Sequence, residues 1–103
     1  MTAQVDIIIP VYNDQEGLNT ILVSLESQNI DKGLFRLLVV DNDSKPPLHL
    51  PATSFAVHLL HCEQAGSYAA RNTALTKVQS KIVAFTDADC ILDKNWVKTG
   101  IQK

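Results

Sequence analysis

The sequence lacks the features that mark several large classes of protein, and these absences narrow its chemistry first. It has only two cysteines, Cys62 and Cys90, without C-x-x-C spacing, so neither a zinc site nor a dithiol redox motif is indicated. They are expected to be free thiols acting as small hydrophobes in a reducing cytosol. Charge of one sign is not in excess. A formal net charge of −2 leaves no electrostatic footprint for nucleic acid or an anionic membrane. No apolar run nears the roughly 20 residues that span a bilayer, and the N-terminus has neither the basic stretch nor the long apolar core of a secretory signal. A Walker loop, a G-x-G-x-x-G turn and a G-x-S-x-G elbow are missing, which sets aside P-loop, nicotinamide and serine-hydrolase chemistry. His49, His58 and His61 show no ligand-like pairing with carboxylates or cysteines and are expected at edges or in loops.

What is present is enough to fold. Hydrophobic residues make up 46% of the 103 positions and charged residues 19%, which suits one domain with a buried core. Four short apolar runs, at 5–10 (V-D-I-I-I-P), 35–40 (F-R-L-L-V-V), 55–60 and 82–86, have the character of strands buried on both faces of a parallel sheet. Leu18, Ile21, Leu22 and Leu25 recur at helical spacing and form one apolar stripe, with Asn13 and Glu16 spaced as a capping box before it. A second helix is expected from a cap at Ser67 through Ala70, Ala74 and Val78. A third, capped by Asp93, is expected to carry Trp96, Val97 and Ile101. The order β-α-β-loop-β-α-β-α predicts an α/β, Rossmann-like, doubly wound and mostly parallel sheet of order 3-2-1-4, flanked by helices and joined by right-handed crossovers. The connection at 42–54 holds Pro46, Pro47 and Pro51, too many for a regular helix. A connection of that length is expected to be functional or mobile.

Ligands of such sheets bind beyond the carboxyl ends of the strands, where the strand order reverses. Polar residues gather there in this sequence: Pro10-Val11-Tyr12-Asn13-Asp14 after the first strand, Asp41-Asn42-Asp43-Ser44 after the second, and Asp87-Ala88-Asp89 after the fourth. Alternate spacing lets Asp87 and Asp89 face one side of an extended segment. Two hard oxygen donors there suit Mg²⁺ or Mn²⁺, which takes one or two carboxylates plus phosphate oxygens and water. The alternative is a pair of solvated turn aspartates. Asp41 and Asp43 repeat the spacing, which admits a second metal site, a hydrogen-bond acceptor for a ligand's base or ribose, which is favoured, or plain turn residues. Tyr12 either packs on a nucleobase or covers the sheet edge. Ser67 and Arg71 share the face that opens the second helix, where an anion is favoured; Arg71 otherwise pairs with a strand-end aspartate.

Four stretches, V-D-I-I-I-P-V-Y-N, L-L-V-V-D-N-D-S, G-S-Y-A-A-R-N-T-A-L and I-V-A-F-T-D-A-D-C, come in an order and spacing that resemble the family 2 glycosyltransferases with the GT-A fold. The resemblance covers residues 5 to about 97. It implies that residues 1–103 are the donor-binding, N-terminal part of an enzyme moving a sugar from a nucleotide-diphosphate-sugar to an unknown acceptor hydroxyl. Inversion at the anomeric carbon and a divalent cation, Mn²⁺ or Mg²⁺, go with it. Residue by residue, it places Pro10, Tyr12 and Asp41 on the nucleoside. It places Asp87 on the ribose or the metal, Asp89 on the metal, and Arg71 near the diphosphate. Asn42-Asp43 departs from the family's usual Asp-Gly, and Cys90 and Ile91 receive no role. The family's general base comes from a later segment, so this chain is expected to lack its acceptor-binding part and to turn over little.

Two other readings compete. A receiver-type phosphoacceptor domain is also doubly wound, but it needs an acidic pair directly after the first strand, where Pro-Val-Tyr-Asn stands. A non-catalytic nucleotide-binding or interaction module of the same fold is the other. The expected location is cytoplasmic, with membrane association only through parts outside this chain, and apolar surface meant for a partner would favour self-association.

Overall fold

A computed structural model describes residues 3–88 and 90–102, the side chains of Ser67 and Gln102 excepted. Four strands, β1 (Val5–Val11), β2 (Phe35–Asp41), β3 (Ala56–His61) and β4 (Ile82–Phe85), form one sheet of order β3-β2-β1-β4. All three pairings are parallel, with Val5 opposite both Phe35 and Ile82. The helices are α1 (Gln15–Glu26), α2 (Ser67–Leu75) and α3 (Trp96–Gln102).

Strand alternation divides the core in two. Val5, Ile7, Ile9 and Val11 of β1, with Phe35, Leu37 and Val39 of β2, pack against Leu18, Ile21, Leu22 and Leu25 of α1 and Val97 of α3. Ile8, Leu38 and Val40 turn the other way, onto Ala70 and Ala74 of α2. Helices thus cover both faces of the central pair, as the doubly wound reading requires. The expectation of burial on both faces fails for β3 and β4. Leu59 and Phe85 are exposed, because each of these strands has a neighbour on one side only.

The helix starts also differ from expectation by a residue or more. Asp14, not Asn13, caps α1, its Oδ1 accepting from the Gly17 amide at 2.9 Å. Asn13 instead has a left-handed backbone (φ 50°), a conformation in which asparagine is enriched. Gly66 rather than Ser67 precedes α2 as its cap position, at φ 104°, where a side chain would be strained. Asp93 stands before α3 without capping it. Its carboxylate takes the Asn95 amide, while the Val97 amide donates to Oε1 of the buried Gln28 at 2.9 Å.

A methyl group on Gly17 would press into the Asp14 carboxylate and turn the cap away, which costs about 1 kcal/mol. Alanine's advantage over glycine in a helix is also about 1 kcal/mol. Gly17→Ala is therefore expected to leave the urea midpoint nearly unchanged in the parent chain and to raise stability by about 1 kcal/mol in an Asp14→Ala background. Equal gains in both backgrounds would count against the cap.

The connection from β2 to β3 is tied down. Ser44 Oγ accepts from the Asn13 amide and Asn13 Oδ1 from the Lys45 amide, while the Gln15 side chain bonds both main-chain groups of His49. Glu26 receives the Ser54 amide and hydroxyl. At the opposite end of the sheet, Asp6 is fully buried. Its carboxylate accepts two bonds from Arg36, both at 2.9 Å, together with the Gln79 amide, the Ser80 amide and the Ser80 hydroxyl.

Candidate functional site

The carboxyl ends of β1, β2 and β4 open onto one crevice of about 770 Å³, within the roughly 300–1,000 Å³ of small-molecule sites. It lies at the reversal of strand order, where β1 has β2 on one side and β4 on the other. Pro10, Val11, Tyr12 and Asn13 form the wall from β1, and Asn42, Asp43 and Lys45 the wall from β2. Glu63, Ala65 and Gly66 close it ahead of α2, and Asp87 stands after β4.

Of the residues predicted from sequence, Pro10, Tyr12, Asp43 and Asp87 therefore share one pocket. Tyr12 is 65% exposed, so its ring is free at the rim instead of buried in the sheet edge. Asp43 has a left-handed backbone (φ 60°). Its Oδ1 lies 3.5 Å from Nε2 of His61, so His61 ends an edge strand as expected but does meet a carboxylate. Arg71 does not line the pocket. Its Nη2 lies 3.5 Å from Asp87 Oδ1, with the guanidinium carbon 5.9 Å from the centre of the Phe85 ring. The ion-pair alternative for Arg71 is thus the arrangement observed. Among the described residues, its Nε is buried without a hydrogen-bond partner.

Asp41 is not in the pocket. It is 5% exposed, and its carboxylate accepts the Ser44 amide at 2.8 Å and the Leu48 amide at 3.2 Å. Burial alone pushes this carboxyl up. The Ser44 hydroxyl and amide, the Leu48 amide and the charge of His61 together outweigh burial and hold it below the ordinary aspartate value. The reason is the period of a strand. Residues 35, 37, 39 and 41 point toward α1, so Asp41 anchors the loop that covers that face, and Asn42 turns to the α2 side where the pocket lies. Asn42 is the residue that sequence reasoning missed, though it was visible there as a departure from the family pattern. Glu63 and Lys45 were missed as well, since no local pattern distinguishes them from surface charges.

Asp89, predicted as the principal metal ligand, lies outside the described residues. Among the described residues, no group of three His, Cys, Asp or Glu side chains is placed to hold a metal ion. The donor chemistry nonetheless fits a hard divalent cation. Asp87 offers an exposed carboxylate to the crevice, and such ions take one or two carboxylates with phosphate oxygens and water completing the shell.

The crevice has the placement and size of a ligand site. The model of the family described as glycosyl transferase family 2 matches residues 6–103. The chain is similar to glycosyltransferase AglE of Haloferax volcanii, with 38% identity over 94% of this chain and 34% of that protein. Among solved structures, Staphylococcus aureus TarS in complex with UDP-GlcNAc superposes with a TM-score of 0.78 at 24% identity, over 99% of this chain and 30% of that one. The mannosyltransferase PcManGT of Pyrobaculum calidifontis, in complex with GDP-Man and Mn²⁺, gives 0.75 at 24%, over 92% and 30%. These two likenesses establish the GT-A-type fold. The chain spans about a third of the length of AglE and of either structure.

Proposed function

The chain belongs to glycosyl transferase family 2, and from that premise we propose that its crevice binds a nucleotide-diphosphate-sugar whose sugar passes, with inversion, to an acceptor hydroxyl. The observation that carries this reading is the single pocket at the strand-order reversal, built from the ends of β1, β2 and β4. The relatives support it in kind, since AglE is described as a glycosyltransferase, and TarS and PcManGT are solved with UDP-GlcNAc and GDP-Man.

In this reading Pro10 and the exposed ring of Tyr12 receive the nucleoside, and Asp43 lies beside it. Asp87 faces the ribose or the cation, Asp89 is assigned to the cation, and Arg71 is held near the diphosphate by its pairing with Asp87. The charge on the walls argues for a cation as well. Asp43, Glu63 and Asp87 face the pocket against one lysine, Lys45, among the described residues, so a bare diphosphate would meet repulsion at close range. A divalent ion bound at Asp87 would supply Lewis-acid neutralisation of the charge that builds on the departing nucleoside diphosphate. As that bond breaks, the acceptor oxygen bonds to the anomeric carbon from the opposite face and its proton leaves to a general base. We assign that base to no residue of this chain.

Calorimetric titration of the chain with UDP- and GDP-sugars tests the reading. Saturable heat that requires Mn²⁺ or Mg²⁺ and disappears with a chelator is expected for at least one donor. Silence across the panel, with and without metal, would overturn it.

A further inference from the structure

β3 is an edge strand whose outer side is unguarded. The Cys62 amide donates to Asp41 O at 3.0 Å, and the register of β3 on β2 carries that pairing back along the strand. Main-chain groups of successive strand residues point to opposite sides, so His58 and Leu60 turn theirs toward β2. Val57, Leu59 and His61 turn theirs away from the sheet. Among the described residues, no main-chain partner reaches them. Edges of this kind are ordinarily blunted by a charge, a proline or a bulge. β3 has none of these. Its register with β2 runs without a skip from Ala56 to His61, and positions 46–62 hold no Asp, Glu, Lys or Arg. The other edge, β4, is shorter and lies between the charges of Lys81 and Asp87.

Such an edge accepts another extended chain, and its chemistry selects which one. Leu59, 43% exposed, sits at the middle of the free row, with Val57 half-buried beside it. A charged strand would find no counter-charge here, whereas an uncharged apolar strand would meet no repulsion. β3 is itself such a strand. We infer that the free edge of β3 pairs antiparallel with β3 of a second copy, joining two sheets across a twofold axis. A contact of this kind uses the same surface on both copies and closes as a dimer. Its register follows from which groups are free. Residues 57, 59 and 61 must face one another for their N–H and C=O groups to exchange bonds, and setting Leu59 opposite Leu59 lets all of them take part. Val57 of each copy then stands opposite His61 of the other. These side chains lie on the α1 side of the sheet, where Val57 already packs against the core. On the other side, His58 of one copy meets Leu60 of the other at the closer, non-hydrogen-bonded spacing. Because the strands run in opposite directions, the two crevices lie at opposite ends of the joined sheet.

Sedimentation equilibrium of the unaltered chain, with amide hydrogen exchange followed residue by residue, tests this pairing. Contact along the six residues of β3 is a small interface, so a dissociation constant between about 1 μM and 1 mM is expected. Exchange at Val57, Leu59 and His61 should slow in step with the falling monomer fraction as the chain is concentrated. His58 and Leu60, already bonded to β2, should not change. Leu59→Lys sets like charges opposite one another on the axis and should raise the dimerisation midpoint about tenfold or more in concentration. The same variant should keep the parent's far-UV circular dichroism. If it does not fold, the exchange pattern of the unaltered chain decides. A chain that stays monomeric up to about 1 mM would overturn the proposal. A dimer that tolerates Leu59→Lys, or that leaves exchange at Val57, Leu59 and His61 independent of concentration, forms through another face and equally overturns it.

Discussion

Asp6→Ala is expected to lower the stability of the chain by about 3–5 kcal/mol, the loss that follows when one partner of a buried, hydrogen-bonded ion pair is removed. Five hydrogen bonds end on this carboxylate, and its side chain has no solvent exposure, while that of Arg36 has 13%. Alanine would strand the guanidinium on the α2 side of the sheet and release residues 79 and 80, which lead into β4. Since a domain of this size is stable by roughly 5–15 kcal/mol, urea denaturation should find the variant marginal or unfolded. A midpoint within about 0.5 kcal/mol of the parent, the range of ordinary surface changes, would show that the pair contributes little.

The same group sets a pH dependence. Burial raises the Asp6 carboxyl, but the Arg36 guanidinium, the Gln79 and Ser80 amides and the Ser80 hydroxyl prevail and hold it at about 2, below the ordinary 3.8. With the folded value depressed, its contribution is fully present above pH 3.8 and is lost as pH falls through 2. A depression of this size corresponds to about 2 kcal/mol. Asp41 and Glu26 are also lowered, so they share the acid slope. The difference between the parent and Asp6→Asn over that window isolates Asp6, and parallel curves would dissociate it from the acid loss.

Much of this framework could be read from the sequence because it rests on periodicity. The apolar runs at β1 and β2 and the Leu18–Ile21–Leu22–Leu25 stripe each bury a face, and a face leaves a pattern. Helices between strands then implied parallel pairing and the order 3-2-1-4. Features that depend on one residue or on distant partners left no such pattern. That order put β3 and β4 at the edges, but an apolar run does not reveal how far helices reach over its strand, so both were expected to be covered. A cap is one side chain in one rotamer, and Asn13 and Asp14 are equally suited by type. Asp6 resembles any polar residue interrupting a strand until Arg36, Gln79 and Ser80 are brought around it. In the site, the three strand ends meet at one pocket, but Asp41 faces away from it. A shift of one residue across the pleat exchanges Asp41 for Asn42, and no local rule states where β2 stops alternating.

Asp87→Ala should separate binding from folding in the opposite sense to Asp6→Ala. Its pairing with Arg71 spans 3.5 Å between side chains 65% and 39% exposed, and exposed pairs of this kind contribute little to stability. Thermal and urea unfolding are therefore expected to match the parent chain. Donor binding in Mn²⁺ is expected to fall by about 100-fold, since removing even an outer-shell partner of a metal ligand costs 10–100-fold. The variant also frees Arg71, whose charge attracts a diphosphate at any metal concentration. Residual binding should consequently be weaker but less sensitive to a chelator. Asp87→Asn sharpens the test, because it keeps the side chain's size and one acceptor oxygen while removing the charge that would hold a cation. If Asp87→Asn binds a UDP- or GDP-sugar in Mn²⁺ as the parent does, the cation does not rest on Asp87. If both Asp87 variants unfold at lower urea concentrations than the parent, the carboxylate belongs to the framework and not to the site.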